Sequence, residues 1–195
     1  MTARVRVLSG LVVLAAVQLG AWLTYRMVEA RRTDPSEAPT FVYEPMSGAA
    51  PGMNLPLEDA KRQTTRLSDY EGRPLLVHFW ATWCAPCRTE LPRLLELANS
   101  PVHERRMQVV LISVDENWDV IRHYFAGDVP PSVLRDSTGR LRRAYGASTL
   151  PETFVVRQGG IVSARVRGAR DWSAEDVRAG LSTLVAPVSS EVPNP

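Results

Sequence analysis

The sequence predicts an α/β domain with a mixed central sheet flanked by helices, preceded by one N-terminal transmembrane helix. Two buried apolar runs, Pro74 to Ala81 and Met107 to Val114, enclose the helical pattern from Ala85 to Asn99. This order is typical of parallel strands joined by a helix. Thr153 to Arg157 and Ile161 to Val166 flank a Gly-Gly pair and predict an antiparallel hairpin. A parallel pair and a hairpin together indicate a mixed sheet with helices on both faces.

The shorter elements complete this architecture. Leu57 to Leu67 is expected to hold one or two short edge strands, and Val133 to Arg135 another short strand. A short helix is predicted over Gly139 to Tyr145. A helical apolar stripe, expected to pack in the core, is formed by Trp118, Ile121, Arg122 and Phe125. The segment from Ser173 to Asp176 resembles a capping box that opens a last helix.

Four regions are predicted along the chain: a membrane anchor over residues 1–30, a flexible linker over 31–54, the folded domain over 55–184 and a disordered tail over 185–195. Val7 to Tyr25 is a 19-residue stretch without a charged side chain, close to the roughly 20 residues that span a bilayer. A cleaved signal peptide is the alternative, although Leu19-Gly20-Ala21 is a weak cleavage site. The net charge of +2, with interspersed signs, offers no large basic surface for nucleic acid.

Both cysteines of the chain lie in the motif Trp83-Cys84-Ala85-Pro86-Cys87, between the first buried strand and its helix. Unpaired N–H groups and the positive end of a helix favour a thiolate at its start. We therefore expect Cys84 to be the nucleophile and Cys87 to resolve the mixed disulfide that Cys84 forms with a partner. Pro86 suits the first turn of a helix. The motif predicts dithiol–disulfide exchange.

Two other interpretations of the motif are weaker. Half of a zinc site would need two further ligands, but the chain has no other cysteine, and its histidines, His78, His103 and His123, are scattered singly. A purely structural disulfide would close too short a loop to stabilise the domain much. We expect no bound cofactor and no metal, because the Cys84–Cys87 pair itself is the redox group.

Two sequence blocks resemble the membrane-anchored thioredoxin-like proteins of the TlpA, ResA and CcmG (DsbE) type. One runs from Val77 to Pro92 around the motif, and the other runs from Tyr145 to Val156 and contains Leu150-Pro151-Glu152-Thr153-Phe154. The resemblance covers Leu55 to Leu184 and implies a thioredoxin fold in which Pro151 is cis. It also implies that the Leu150 backbone pairs with an extended substrate segment, with Trp83 and Pro86 at the rim of the same substrate site.

Three polar positions near the motif raise further expectations. Glu90 lies three residues after Cys87 on the same helix face and matches a glutamate of the ResA-like proteins, so it is a candidate proton handler. The alternative is an ordinary first-turn glutamate. Glu152 is a second acidic candidate, with simple exposure as its alternative. His78 departs from the family pattern and is expected to be a hydrogen-bonded core residue rather than a catalyst.

The resemblance implies a thiol–disulfide oxidoreductase held in the inner membrane by a single span, with its domain facing the periplasm or cell exterior. It would act as a reductant on disulfide-containing proteins, such as apocytochrome c or a copper-assembly protein, and a membrane electron donor of the DsbD or CcdA type would recharge it. Two alternatives remain open: a Cu(I)-binding or delivery module, since paired thiolates suit Cu(I), and a disulfide-forming oxidant, separated from a reductant by its redox potential.

Overall fold

The computed structural model describes residues 15–27, 41–70, 72–100 and 107–186. The chain divides into two units, residues 1–40 and residues 41–195. In the first unit, residues 15–27 form an exposed helix. Over the described residues, none of the helices combines the length and apolar character that a membrane crossing requires. Residues 7–14 of the predicted span lie outside the described residues.

The second unit is built on an eight-stranded mixed sheet with the strand order β1-β8-β7-β4-β5-β6-β2-β3. The strands are β1 (Glu44–Pro45), β2 (Leu57–Glu58), β3 (Thr64–Thr65), β4 (Leu75–Trp80), β5 (Gln108–Ser113), β6 (Val133–Arg135), β7 (Glu152–Arg157) and β8 (Ile161–Arg167). Strands β4, β5 and β6 are parallel, and every other pairing is antiparallel. The thioredoxin fold with its mixed sheet is therefore confirmed.

Among the described residues of this unit, the sheet is accompanied by four α-helices and a 3-10 turn (Leu67–Tyr70): α1 (Ala85–Ala98), α2 (Trp118–Tyr124), α3 (Arg140–Ala144) and α4 (Glu175–Val185). The central strand β4 is buried along its whole length. Leu76 and Trp80 pack in one apolar cluster with side chains of α1, α2 and α4. Val77 and Phe79 point to the other face and pack in a second cluster that includes Leu141 of α3. Helices therefore cover both faces of β4.

The predicted linker overlaps the domain. The sequence predicts a flexible linker as far as Asn54, but residues 41–54 contribute strand β1, which pairs with β8, and the buried side chains of Phe41 and Ala50. Gly180 of α4 admits the ring of Phe41, because a Cβ at that position would collide with it. The strand is two residues long and ends in proline, so its position depends on pairing with β8 and leaves no periodic signal in the sequence.

The predicted capping box does not form. Helix α4 begins at Glu175, and its N-cap is Ala174, whose side chain makes no capping hydrogen bond. Ser173 instead bonds through its backbone N–H and its hydroxyl to Asp171. Asp171 offers a carboxylate two residues away, and short polar side chains readily close such local turns before a helix begins.

Candidate active site

The two cysteines lie where β4 passes into α1. Strand β4 ends at Trp80, and Cys84 is the N-cap residue of α1. The cysteines form a disulfide with the Cα atoms 5.3 Å apart, and the backbone N–H of Cys87 donates to the sulfur of Cys84 at 3.3 Å. Pro86 occupies the first turn, where the missing N–H leaves no helical bond unmade. In the reduced protein, this N-cap position favours a thiolate at Cys84.

The two cysteines differ slightly in their exposure to solvent. Cys84 keeps 5% of its surface exposed, whereas Cys87 is fully buried in the apolar cluster that contains Leu76 and Trp80 of β4. Trp83, directly before Cys84, is 68% exposed. An incoming disulfide therefore meets Cys84 first, beside an apolar side chain that is open to solvent.

Asp115, which follows β5, fixes the turn that leads to Cys84. Its carboxylate accepts hydrogen bonds from the Thr82 backbone N–H at 3.0 Å and the Thr82 hydroxyl at 2.8 Å. The Ser113 hydroxyl donates to the same carboxylate at 2.8 Å. Sequence analysis did not assign Asp115 a role, although a polar residue two positions after the end of a parallel strand that neighbours the redox strand is a recognisable signal.

Pro151 lies at the same end of the sheet as the cysteines. The Leu150–Pro151 peptide bond is cis, as the resemblance implies. Strand β7 begins at Glu152, which pairs with Phe79 of β4, so Pro151 is level with the end of β4. The backbone of Leu150 thus borders the turn that carries the redox pair.

Glu90 is buried in the second turn of α1, and residues of a loop distant in sequence bind its side chain. Its Oε2 accepts hydrogen bonds from the Trp172 indole Nε1–H at 2.6 Å and from the Arg170 backbone N–H at 2.9 Å. Burial raises the pKa of Glu90 to about 7, although these two donors and the charge of Arg170 oppose the shift. An ordinary exposed first-turn glutamate, the alternative considered from the sequence, does not describe this environment.

His78 lies on β4 and faces Glu90. Its Nδ1 is 2.8 Å from the Thr153 hydroxyl oxygen on β7, and its Nε2 is 3.6 Å from Oε1 of Glu90. The ring is fully buried, and this burial lowers the pKa of His78 to about 3. His78 is therefore neutral at physiological pH, as expected for a hydrogen-bonded core residue.

Glu152 is not an exposed acid. Its side chain is fully buried and forms ion pairs with Arg165 and, at 3.4 Å, with Arg167. Because both arginines belong to the neighbouring strand β8, Glu152 ties the end of β7 to β8 beside Pro151. The sequence alternative of simple exposure was therefore wrong.

The site also contains residues that sequence analysis missed. Trp172, Arg170 and Thr153 contact Glu90 or His78, yet all three lie more than sixty residues from them along the chain. Thr153 belongs to the second sequence block around Pro151, whereas no periodic pattern or motif links Arg170 and Trp172 to the cysteines. Within the described part of the chain, no cluster of three or more His, Cys, Asp and Glu side chains is arranged to hold a metal ion.

Comparison with known proteins agrees with this geometry. The AhpC/TSA family matches residues 46–165, more than half of the chain. The chain belongs to the AhpC/TSA family. Its relatives include the thiol-disulfide oxidoreductase ResA of Oceanobacillus iheyensis, 31% identical over 62% of this chain and 64% of that protein. The thiol:disulfide interchange protein DsbE of Pseudomonas aeruginosa is 31% identical over 83% of this chain and 82% of that protein.

A crystal structure shows the same relationship. A thioredoxin-family thiol:disulfide interchange protein from Chlorobium tepidum TLS superposes with a TM-score of 0.56 at 26% identity, covering 71% of this chain and 99% of the other. This member of the AhpC/TSA family is a protein thiol–disulfide oxidoreductase of the ResA, DsbE and HelX type.

Proposed function

We propose that the protein is a membrane-anchored, periplasm-facing reductant of protein disulfides that serves cytochrome c maturation or the assembly of oxidase and copper sites. The observation that carries the proposal is the Cys84–Cys87 pair at the start of α1, in which Cys84 keeps 5% of its surface exposed and Cys87 keeps none. The direction of exchange and the place of action are supported by the resemblance to the ResA and DsbE type.

The cycle uses one electron pair and two protons. The Cys84 thiolate attacks a substrate disulfide, forming a mixed disulfide and releasing one substrate thiol. Cys87 then loses its proton and attacks the Cys84 sulfur, which closes the Cys84–Cys87 disulfide and releases the second substrate thiol. The substrate is reduced by two electrons and the protein is oxidised by two. A membrane electron donor of the DsbD or CcdA type would then restore the dithiol.

Glu90 is the group we propose to accept the proton of Cys87. It follows Cys87 by three positions on α1, so both side chains lie on one helix face. A buried thiol has no water to receive its proton, and a carboxyl group with a pKa near 7 is matched to proton transfer at neutral pH. Glu90 can thus hold a proton in one half of the cycle and release it in the other.

The substrate segment would lie across the exposed end of the sheet. Trp83 is largely exposed and offers an apolar surface, and Pro86 lies in the first turn of α1. The backbone of Leu150, which precedes β7, would pair with an extended chain. Such pairing would align the substrate disulfide with the sulfur of Cys84.

A trapping experiment tests this function. In the full-length Cys87→Ala variant, Cys84 can attack but no internal thiol can release the partner, so mixed disulfides should accumulate. The double variant that also replaces Cys84 with Ala is the matched control and should trap nothing. We expect apocytochrome c or its haem-attachment proteins among the trapped species, and a loss of holocytochrome c, reversed by added thiol, when the protein is absent.

Other outcomes would change the proposal. Trapping only copper-assembly proteins, with normal cytochromes, would assign the protein to oxidase maturation. Absence of any mixed disulfide, with tight stoichiometric Cu(I) binding by the two thiols, would support the metal-binding alternative. A redox potential close to the value of about −120 mV for DsbA, rather than that of about −270 mV for thioredoxin, would indicate an oxidant.

The anchor has its own test. We expect the mature chain to keep its first residues and to fractionate with membranes, because Val7 to Tyr25 is free of charged side chains. A released form that begins near Trp22 would instead identify this segment as a signal peptide.

A further inference from the structure

Two buried polar atoms beside the redox pair face each other without a hydrogen bond. Within the described residues, six buried side-chain oxygen or nitrogen atoms have no hydrogen-bond partner, and two of them are Nε2 of His78 and Oε1 of Glu90. They are 3.6 Å apart, slightly beyond hydrogen-bond length. Buried polar atoms are nearly always paired, and bonds of active-site groups are commonly long in resting structures. Each of the two atoms is therefore a candidate hydrogen-bond partner for the other.

The partners of Glu90 decide which oxygen carries its proton. Both groups that bind Oε2, the indole N–H of Trp172 and the backbone N–H of Arg170, can only donate hydrogen bonds. A proton on Oε2 would oppose both donors. When Glu90 is protonated, its proton must therefore lie on Oε1, which points at Nε2 of His78.

The neutral ring of His78 can satisfy either charge state of Glu90. Opposite a protonated Oε1, Nε2 must accept a hydrogen bond, so the ring proton lies on Nδ1 and is donated to the Thr153 hydroxyl. Opposite an ionised Oε1, Nε2 must donate, so Nδ1 accepts from that hydroxyl instead. The Thr153 hydroxyl serves both arrangements because it can rotate.

We propose that His78 is a positioning residue that changes tautomer when Glu90 ionises, so that the His78–Glu90 pair, and not Glu90 alone, holds the proton exchanged with Cys87. This inference rests on the proposed role of Glu90. The protons balance: the ionised pair carries one proton, on Nε2, and the pair that has taken up the proton of Cys87 carries two, on Oε1 and Nδ1. His78 is never required to be an imidazolium, in keeping with its complete burial.

The surroundings of the pair contain few other charges that could drive this change. Arg170 is the cation that acts on Glu90 from the loop before α4. Cys84 and Cys87 precede Glu90 at the start of α1, and Thr153 is uncharged on β7. Trp172 packs edge-on against the ring of His78 with centroids 6.3 Å apart. In the oxidised protein the cysteines do not titrate, so the pair can be observed alone.

Nitrogen NMR of ¹⁵N-histidine-labelled oxidised protein tests the inference directly. Because the chain has three histidines, replacing both His103 and His123, the latter exposed on α2, with Gln leaves the ring signals of His78 alone. We expect His78 to stay neutral between pH 5 and pH 9 while its proton moves from Nδ1 to Nε2 with a midpoint near 7. The Glu90→Gln variant should show a single tautomer throughout.

A second measurement connects the tautomer with exchange. In the His78→Phe variant, Oε1 loses its partner and ionisation of Glu90 becomes harder. The pH midpoint of the rate of mixed-disulfide resolution should therefore rise by about one unit, the equivalent of one hydrogen bond. His123→Gln should leave the profile unchanged.

Each failure has a distinct meaning. One fixed tautomer across this pH range in the native protein, or an imidazolium that forms near pH 7, would overturn the inference even if Glu90→Gln slows exchange. If the native protein reduces no protein disulfide at all, the proposed function fails instead, whatever tautomer is seen.

Discussion

Trp172→Phe is the substitution that most directly probes how the fold controls Glu90. The change removes one N–H donor, bonded to Oε2 of Glu90 at 2.6 Å, and keeps an aromatic ring in the core. A hydrogen bond to a charged acceptor contributes about 1.5–3 kcal/mol, against about 1 kcal/mol for a neutral acceptor. Losing the bond therefore costs the ionised form about 0.5–2 kcal/mol more than the protonated form. At 1.36 kcal/mol per unit, the pKa of Glu90 should rise by about one unit above its value of about 7.

The measurement is a pH titration of the Glu90 carboxyl group by infrared or carbon NMR spectroscopy in the oxidised protein, where the cysteines do not titrate. Trp118→Phe is the matched control, because Trp118 is equally buried and donates its indole N–H to a different carboxylate, Glu58, at 3.0 Å. It should leave the pKa of Glu90 unchanged. A folded Trp172→Phe protein with an unchanged pKa of Glu90, or an equal shift in both variants, would refute the reasoning.

Three further predictions concern the redox turn and the buried acid. Alkylation of the reduced protein at neutral pH should modify Cys84 faster than Cys87, because Cys84 is the N-cap residue and keeps 5% of its surface exposed while Cys87 keeps none. Mass spectrometry identifies the labelled residue, and preferential labelling of Cys87 would reverse the assignment. Asp115→Asn should lower the free energy of unfolding in urea by about 2 kcal/mol and slow exchange, since three donors lose a charged acceptor. Asp69→Asn, at an exposed turn, should cost less than 1 kcal/mol, and equal losses would contradict the proposed role of Asp115. The unfolded chain loses the Glu90 proton near pH 4.5, whereas the fold keeps it to about pH 7. The free energy of unfolding should therefore fall by up to about 3 kcal/mol as the pH rises through this window. Glu90→Gln should remove this pH dependence of the free energy of unfolding. If the dependence persists in the variant, other groups cause it.

Local sequence patterns predict the centre of this fold well. The expected strand from Pro74 to Ala81 differs from β4 (Leu75–Trp80) by one residue at each end, and the run from Met107 to Val114 differs equally little from β5 (Gln108–Ser113). Both strands are buried on two faces, so each appears in the sequence as an uninterrupted apolar run. Strand β1 has no such run, because its position depends on pairing with β8.

The redox pair could also be predicted, because the Cys-x-x-Cys spacing, the preceding strand and the following helix are adjacent in sequence. The environment of Glu90 could not be predicted in the same way. Its donors, Arg170 and Trp172, lie in a loop some eighty residues away, in an irregular segment without periodicity. Only the packing of that loop against α1 makes Glu90 a buried acid rather than an exposed one.

His78 shows where a sequence argument could have gone further. Side chains alternate along a strand, so His78 shares the face of β4 that carries Leu76 and Trp80. In a strand–helix unit the helix packs on the strand it follows, and the buried positions of α1 include Cys87, Glu90, Leu91 and Leu94. A histidine on the covered face and an acid on the covering face are therefore expected to meet. What the pattern cannot supply is the direction of their hydrogen bond, which depends on the donors that bind the far oxygen of Glu90. Because both donors bind Oε2 of Glu90, the proton of Glu90 can lie only on Oε1, the oxygen that faces His78. His78 can therefore respond to the charge state of Glu90 and stabilise it.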